Sequence, residues 1–104
     1  MTPLLVLVTV PDAETGKKIG RELVAARLAA CVNLLPGATS IYRWEGKVEE
    51  AGECLLMIKS SREQWEPLQA ALRAAHPYAC PEIVALQPEA VSADYARWWG
   101  ESLG

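Results

Sequence analysis

Two segments of this chain, Leu4–Val10 and Cys54–Ile58, are apolar or β-branched at odd and even positions alike. Successive residues of a strand point to opposite faces of its sheet, so both segments read as central strands that need cover on two sides. Leu4–Val10 is only seven residues long, follows no Lys or Arg, and runs into Pro11-Asp12 rather than a small-residue cleavage site, which makes it a strand and not a signal segment. No other stretch approaches the roughly 20 apolar residues of a membrane span, so no membrane is expected as a partner and the expected location is cytoplasmic.

The rest of the chain alternates between helical and strand periods. Ala13–Ala30 places Ile19, Leu23, Ala26 and Ala30 on one helical stripe, with Asp12 as its N-cap. Cys31–Trp44 and Lys47–Ser60 are fourteen-residue arms on either side of Glu45-Gly46, a two-residue hairpin connection. With that turn, paired positions sum to 91, and the breaks at Pro36-Gly37-Ala38 and Ala51-Gly52 fall near each other across the ladder. At about 3.3 Å per residue each arm approaches ~45 Å, so Tyr42, Arg43 and Trp44 should project beyond the domain body. Ser61–Ala75 reads as a helix with Trp65, Leu68, Leu72 and Ala75 on its stripe and Ser61/Gln64 at capping-box spacing. Pro67 removes a backbone donor, so the first turn should be distorted or the regular helix should begin only near Glu66. His76-Pro77 ends it. Glu82–Gln87 is a short strand, and Ser92–Leu103 a last helix with Tyr95, Trp98 and Trp99 clustered.

At 104 residues, with 51% hydrophobic and 22% charged residues, the chain should fold as one domain over residues 1–104. The expected class is α+β: a ferredoxin-like βαββαβ sandwich with a long hairpin between its second and third strands and an added C-terminal helix. Right-handed crossovers put both crossover helices on one sheet face and leave the other open. That open face is apolar, and about twelve residues of final helix cannot cover four strands. Burial against copies of the same chain is the expected solution.

Several function classes are excluded by the same residues. The net charge is −3 and the basic residues are scattered singly, so no phosphate-neutralising stripe exists and nucleic acid is not an expected partner. An RNA-recognition module on this topology needs stacking aromatics on its first and third strands; Leu4–Val10 and Cys54–Lys59 have none, and Phe is absent. Cys31, Cys54 and Cys80 form no C-x-x-C pair and suit a reducing compartment, with Cys31 and Cys54 reading as small buried hydrophobes. No nucleophile elbow, phosphate loop or metalloprotease helix appears, and no enzyme is expected.

Two constellations carry candidate chemistry. His76, the only histidine, precedes Cys80 by four residues, with Glu82 adjacent and Pro77 and Pro81 stiffening the loop. Imidazole and thiolate suit copper or zinc, and a carboxylate suits a harder divalent ion. The alternative is that His76 only satisfies the terminal carbonyls of its helix while Cys80 fills a gap. The second constellation is Tyr42, Trp44, Lys59, Tyr78, Glu82, Tyr95 and Trp98. Here Lys59 closes one apolar strand and Glu82 opens another, so the two could pair in an intersubunit cleft able to hold an anionic metabolite, or in a packed interface with no ligand.

The run Arg27-Leu28-Ala29-Ala30-Cys31-Val32-Asn33, leading to Pro36-Gly37-Ala38-Thr39-Ser40-Ile41-Tyr42-Arg43-Trp44-Glu45-Gly46, resembles the CutA family. So do His76-Pro77-Tyr78 with Pro81-Glu82-Ile83, together with Lys59, Tyr95 and Trp98. The resemblance spans nearly the whole chain. It implies a ferredoxin-like homotrimer in which hairpins and C-terminal segments of neighbours interlock, an architecture like that of the PII signalling trimers, and a role in tolerance to divalent metals, copper above all. No obligatory cofactor is implied. Some members carry a cysteine where this chain has Val8, and most carry a non-thiol where it has Cys80, which shifts any copper ligand set. Two readings stay open: a metal-binding tolerance protein, and a trimeric metabolite sensor or assembly scaffold without a metal site.

Overall fold

A computed structural model describes residues 1–104. The chain runs β1 (Pro3–Val10), α1 (Ala13–Ala25), β2 (Cys31–Trp44), β3 (Lys47–Ser61), a 3-10 turn (Arg62–Gln64), α2 (Trp65–Ala75), β4 (Val84–Leu86) and α3 (Ala93–Glu101). The strands form one antiparallel sheet in the order β2-β3-β1-β4, the ferredoxin-like arrangement with β1 and β3 in the centre. The even-numbered residues of both central strands, Val6 and Val8, Leu56 and Ile58, are fully buried under α1 and α2, which contribute Ile19, Leu23, Leu68 and Leu72.

The caps follow the sequence closely. Asp12 accepts from Thr15 N at 2.8 Å, and this bond holds its carboxyl below the usual range. Ser61 accepts from Gln64 N, and the 3-10 turn between Ser61 and Trp65 carries the chain into α2 with Pro67 in its first turn. Gly16 brings α1 close to the sheet: a Cβ there would lie 3.0 Å from Leu56 Cδ2 and 3.1 Å from Leu34 Cδ2.

Four expectations change. α1 stops at Ala25 rather than Ala30, because Arg27 adopts φ 60° and the amides of Arg27 and Leu28 turn back to Val24 O and Leu23 O. This is a Schellman stop without glycine, and it leaves Ala26 exposed. The sum-of-91 register holds from Trp44/Lys47 to Ala38/Glu53, then shifts by one to Leu35/Leu55 through a bulge at Pro36-Gly37, where Gly37 has φ 85°. β4 is three residues rather than six, and Cys31 is half-buried on the open face rather than a core residue.

The hairpin is as long as its arms require: Glu45 and Gly46 both take positive φ at its tip, and the longest dimension of the molecule is 44 Å. α3 docks at one end of the sheet through buried Trp99, whose indole donates to Ser60 O at 2.8 Å. Beyond it, Arg27 Nη2 donates to the carbonyls of Glu101 at 2.7 Å and Leu103 at 3.2 Å, and Gln64 bonds Gly104 O. The face opposite α1 and α2 stays bare. It presents Leu5, Leu7, Leu55 and Met57 along its centre, with Leu35, Val84 and Leu86 still 43%, 47% and 51% exposed.

Gly16→Ala tests the close approach of α1. Alanine improves helix propensity by about 1 kcal/mol, but Leu56 is fully buried and cannot yield, so overpacking of roughly 1–3 kcal/mol should dominate. The urea midpoint should fall; an unchanged or raised midpoint contradicts the packing.

Candidate functional site

The bulge at Pro36-Gly37 builds the site. Directly paired residues share a sheet face, so below the bulge β2 presents its odd residues, Cys31, Asn33 and Leu35, to the open face. Above it the parity switches, and Ser40, Tyr42 and Trp44 lie on the same side as Ala38, paired with Glu53. One extra residue thus turns two aromatic side chains toward a carboxylate that they would otherwise face away from. Together with Tyr78, Cys80 and Glu82 from the loop between α2 and β4, they line a cleft of about 560 Å³.

His76 holds that loop against the sheet. It is 7% exposed, its Nε2 lies 2.8 Å from Thr9 O, and its Nδ1 receives the Tyr78 amide at 3.1 Å. A carbonyl oxygen only accepts and an amide N–H only donates. These partners therefore fix the ring as the neutral Nε2–H tautomer and occupy both nitrogens. The Tyr78 ring packs at 4.7 Å from the imidazole, and its hydroxyl donates to Glu53 Oε2 at 2.9 Å. Partial burial first, and the Glu53 carboxylate second, push the Tyr78 phenol up to about 12.

The expected metal ligands are not assembled. His76 has no free lone pair, its side chain bonds a β1 carbonyl rather than the carbonyls of its own helix, and no three His, Cys, Asp or Glu side chains converge in a group that could hold a metal ion. Cys80 and Glu82 remain as exposed donors at the cleft.

The second constellation separates into two ends of one face. Tyr42, Trp44, Tyr78 and Glu82 lie at the cleft, whereas Lys59, Tyr95 and Trp98 lie at the far end, about 20 Å away by the strand rise from Glu53 to Lys59. Within one chain Lys59 does not pair with Glu82. Its ammonium donates to Asn33 Oδ1 at 2.9 Å, reaches Cys31 Sγ at 3.9 Å, and sits 5.3 Å from the centroid of Tyr95, which in turn packs against Trp98 at 5.4 Å. Tyr95 holds Lys59 above the ordinary lysine range, and the Cys31 sulfur adds to this against the opposing pull of partial burial. Sequence reasoning missed Glu53, Asn33 and Cys31 as site residues. A signal existed for Glu53: it breaks the run of apolar odd positions that continues through Leu55 and Met57.

The Tyr78 environment has a spectroscopic consequence. A phenol raised from 10.0 to about 12 in the fold contributes stability that is fully present below about pH 10 and is lost as pH rises through about 12. Absorbance titration should show one of the three tyrosines ionising near pH 12. That component should vanish in Tyr78→Phe and move down without reaching 10 in Glu53→Gln. Three tyrosines titrating together near 10 contradict the geometry.

Comparison with known proteins agrees with this architecture. The family model described as CutA1 divalent ion tolerance protein matches residues 4–102. The Divalent-cation tolerance protein CutA of Thermus thermophilus is 46% identical over 100 residues, which is 96% of this chain and 97% of that protein. The chloroplastic Protein CutA of Arabidopsis thaliana is 45% identical over 91% of this chain and 52% of its own length. The crystal structure of CutA1 from Oryza sativa superposes with a TM-score of 0.97 at 38% identity, covering 100% of this chain and 95% of that one. With a family match over nearly its full length and a superposition that covers the whole chain, the chain belongs to the CutA1 divalent ion tolerance family.

Proposed function

We propose that the chain is a non-catalytic subunit of a cytoplasmic homotrimer that serves divalent-cation tolerance as a regulatory assembly, in the manner of PII trimers, rather than as a preformed copper cage. The bare apolar sheet face carries this reading: Leu5, Leu7, Leu55 and Met57 sit between exposed Leu35, Val84 and Leu86, and α3 reaches only one end of the sheet. A contiguous face of this kind marks an interaction surface. The number three comes from the family resemblance. Three unpaired thiols, one of them exposed, suit a reducing compartment. His76, the only histidine, has both nitrogens engaged and offers no general base to Cys80, which supports the non-catalytic role.

A divalent ion is the cargo that the family name implies, copper being put first by the sequence resemblance alone, and the loop fits it poorly. We assign any ion contact to Cys80 and Glu82 without His76, so an ion held there needs donors from outside this group. A second reading, an anionic metabolite at the far end of the face, is favoured by one observation: Lys59 has no carboxylate partner, its ammonium facing only Asn33, Cys31 and Tyr95.

Leu7→Glu places a charge in the centre of the face and should reduce native mass from three chains to one, with the monomer less stable. Retention of the trimer contradicts the proposed interface. In copper titrations, Cys80→Ser should lower binding while His76→Ala leaves the stoichiometry unchanged; loss of binding in His76→Ala alone would restore the histidine as a ligand.

A further inference from the structure

The cleft at Tyr78 and the Lys59 end of the open face lie about 20 Å apart on one chain, and each holds a charge that the chain itself leaves unmatched. Charged side chains on the strands of this face are Lys47, Glu49, Glu53 and Lys59, and the loop after α2 adds Glu82. Lys47, paired with Trp44, has Glu49 two residues along the same strand, about 7 Å away on the same side. Glu53 accepts the Tyr78 hydroxyl at 2.9 Å. Two charges remain. Glu82 is exposed on the cleft wall and has no ion pair in its own chain. The Lys59 ammonium has three protons but only two acceptors, Asn33 Oδ1 at 2.9 Å and Cys31 Sγ at 3.9 Å, and it otherwise faces the Tyr95 ring, with no carboxylate near it.

Covering this face with copies of the chain takes water from both groups, and a charge under apolar cover without its counter-charge is costly. A ring of three cannot be closed by a patch that meets itself; each contact joins one patch to a different patch of the next copy. The two ends of this face form such a pair. One is an acidic, aromatic cleft with no Lys, Arg or His in its wall, and the other is a lysine among aromatic rings with no carboxylate. We propose that the copies meet head to tail on this face, so that Lys59 of one copy pairs with Glu82 in the cleft of the next. The inference rests on the assembly proposed above and adds its orientation. The contact sets Tyr42, Trp44 and Tyr78 of one copy against Tyr95 and Trp98 of its neighbour, so the second constellation, divided on one chain, becomes a single site between two. Lys47 is the rival cation of the face, but Glu49 stands beside it and Trp44 places it at the same end as the cleft. A free anion at Lys59 would leave Glu82 unpaired under the same cover.

The test reverses the two charges in the intact chain and follows assembly by sedimentation velocity over a dilution series at fixed ionic strength and neutral pH. Lys59→Glu and Glu82→Lys should each shift the midpoint of trimer dissociation to at least tenfold higher protein concentration, and the double variant Lys59→Glu/Glu82→Lys should return it to within about threefold of the unmodified protein. Because the two positions are too far apart to meet within one chain, rescue reports a contact between copies. Zero-length carbodiimide coupling of the unmodified protein should give a denaturation-resistant dimer whose junction peptide joins Lys59 to Glu82. A trimer in which both single reversals are neutral overturns the pairing, as do losses that add in the double variant without rescue. A junction from Lys47 to Glu82, with rescue by Lys47→Glu/Glu82→Lys instead, assigns the cleft to the hairpin lysine and also overturns it. These outcomes leave the assembly standing, whereas a folded monomer for the unmodified protein overturns the assembly and the contact together.

Discussion

The sheet of this protein is apolar on both faces, and its crossover helices can cover only one. β1 and β3 place Val6, Val8, Leu56 and Ile58 under α1 and α2, and place Leu5, Leu7, Leu55 and Met57 on the opposite side. Because side chains alternate strictly along a strand, no shift of register rescues the second face; a slip of one residue only exchanges one apolar set for another. Much else in the structure is arranged around that fact. α3 is tied to one end of the sheet by Trp99 and Arg27 instead of lying across it, and the molecule is drawn out to 44 Å in its longest dimension.

A single histidine organises the other end. By donating to Thr9 O and accepting from the Tyr78 amide, His76 joins the last turn of β1 to the loop that precedes β4. A buried imidazole with two partners of opposite type is satisfied only in one tautomer, and this fixes the position of Tyr78 and, through it, of Glu53. The structural use excludes the chemical one. A nitrogen that closes a loop by hydrogen bonding has no lone pair left for a metal or for a thiol proton, unless the loop opens.

The parts of the fold written as periodicity were legible in the sequence. The four strands, the paired crossover helices, the Asp12 cap, the break before Pro67 and the two-residue hairpin turn all follow from alternation, 3.6-residue spacing and turn chemistry. What escaped depends on tertiary partners. Arg27 takes a left-handed conformation that its residue type does not advertise, at a place where its guanidinium is held by the carbonyls of Glu101 and Leu103. The bulge at Pro36-Gly37 was visible as a break but not as a change of parity, and that parity decides that Tyr42 and Trp44 face Glu53. The members of the cleft were half legible: Tyr42, Trp44, Tyr78 and Glu82 stood out as aromatics and a charge near breaks. Lys59, Tyr95 and Trp98 carried the same signals yet fold to the far end of the face, because sequence spacing does not say which end of a strand a side chain meets.

The most direct measurement of whether this face is covered by copies of the chain is sedimentation velocity of the unmodified protein across a dilution series down to micromolar concentration. A single boundary at three times the mass of one 11.3 kDa chain, persisting on dilution, is the predicted result. A folded, thermally stable monomer at those concentrations would mean that the apolar side of the sheet tolerates water, and the account of this structure would be wrong.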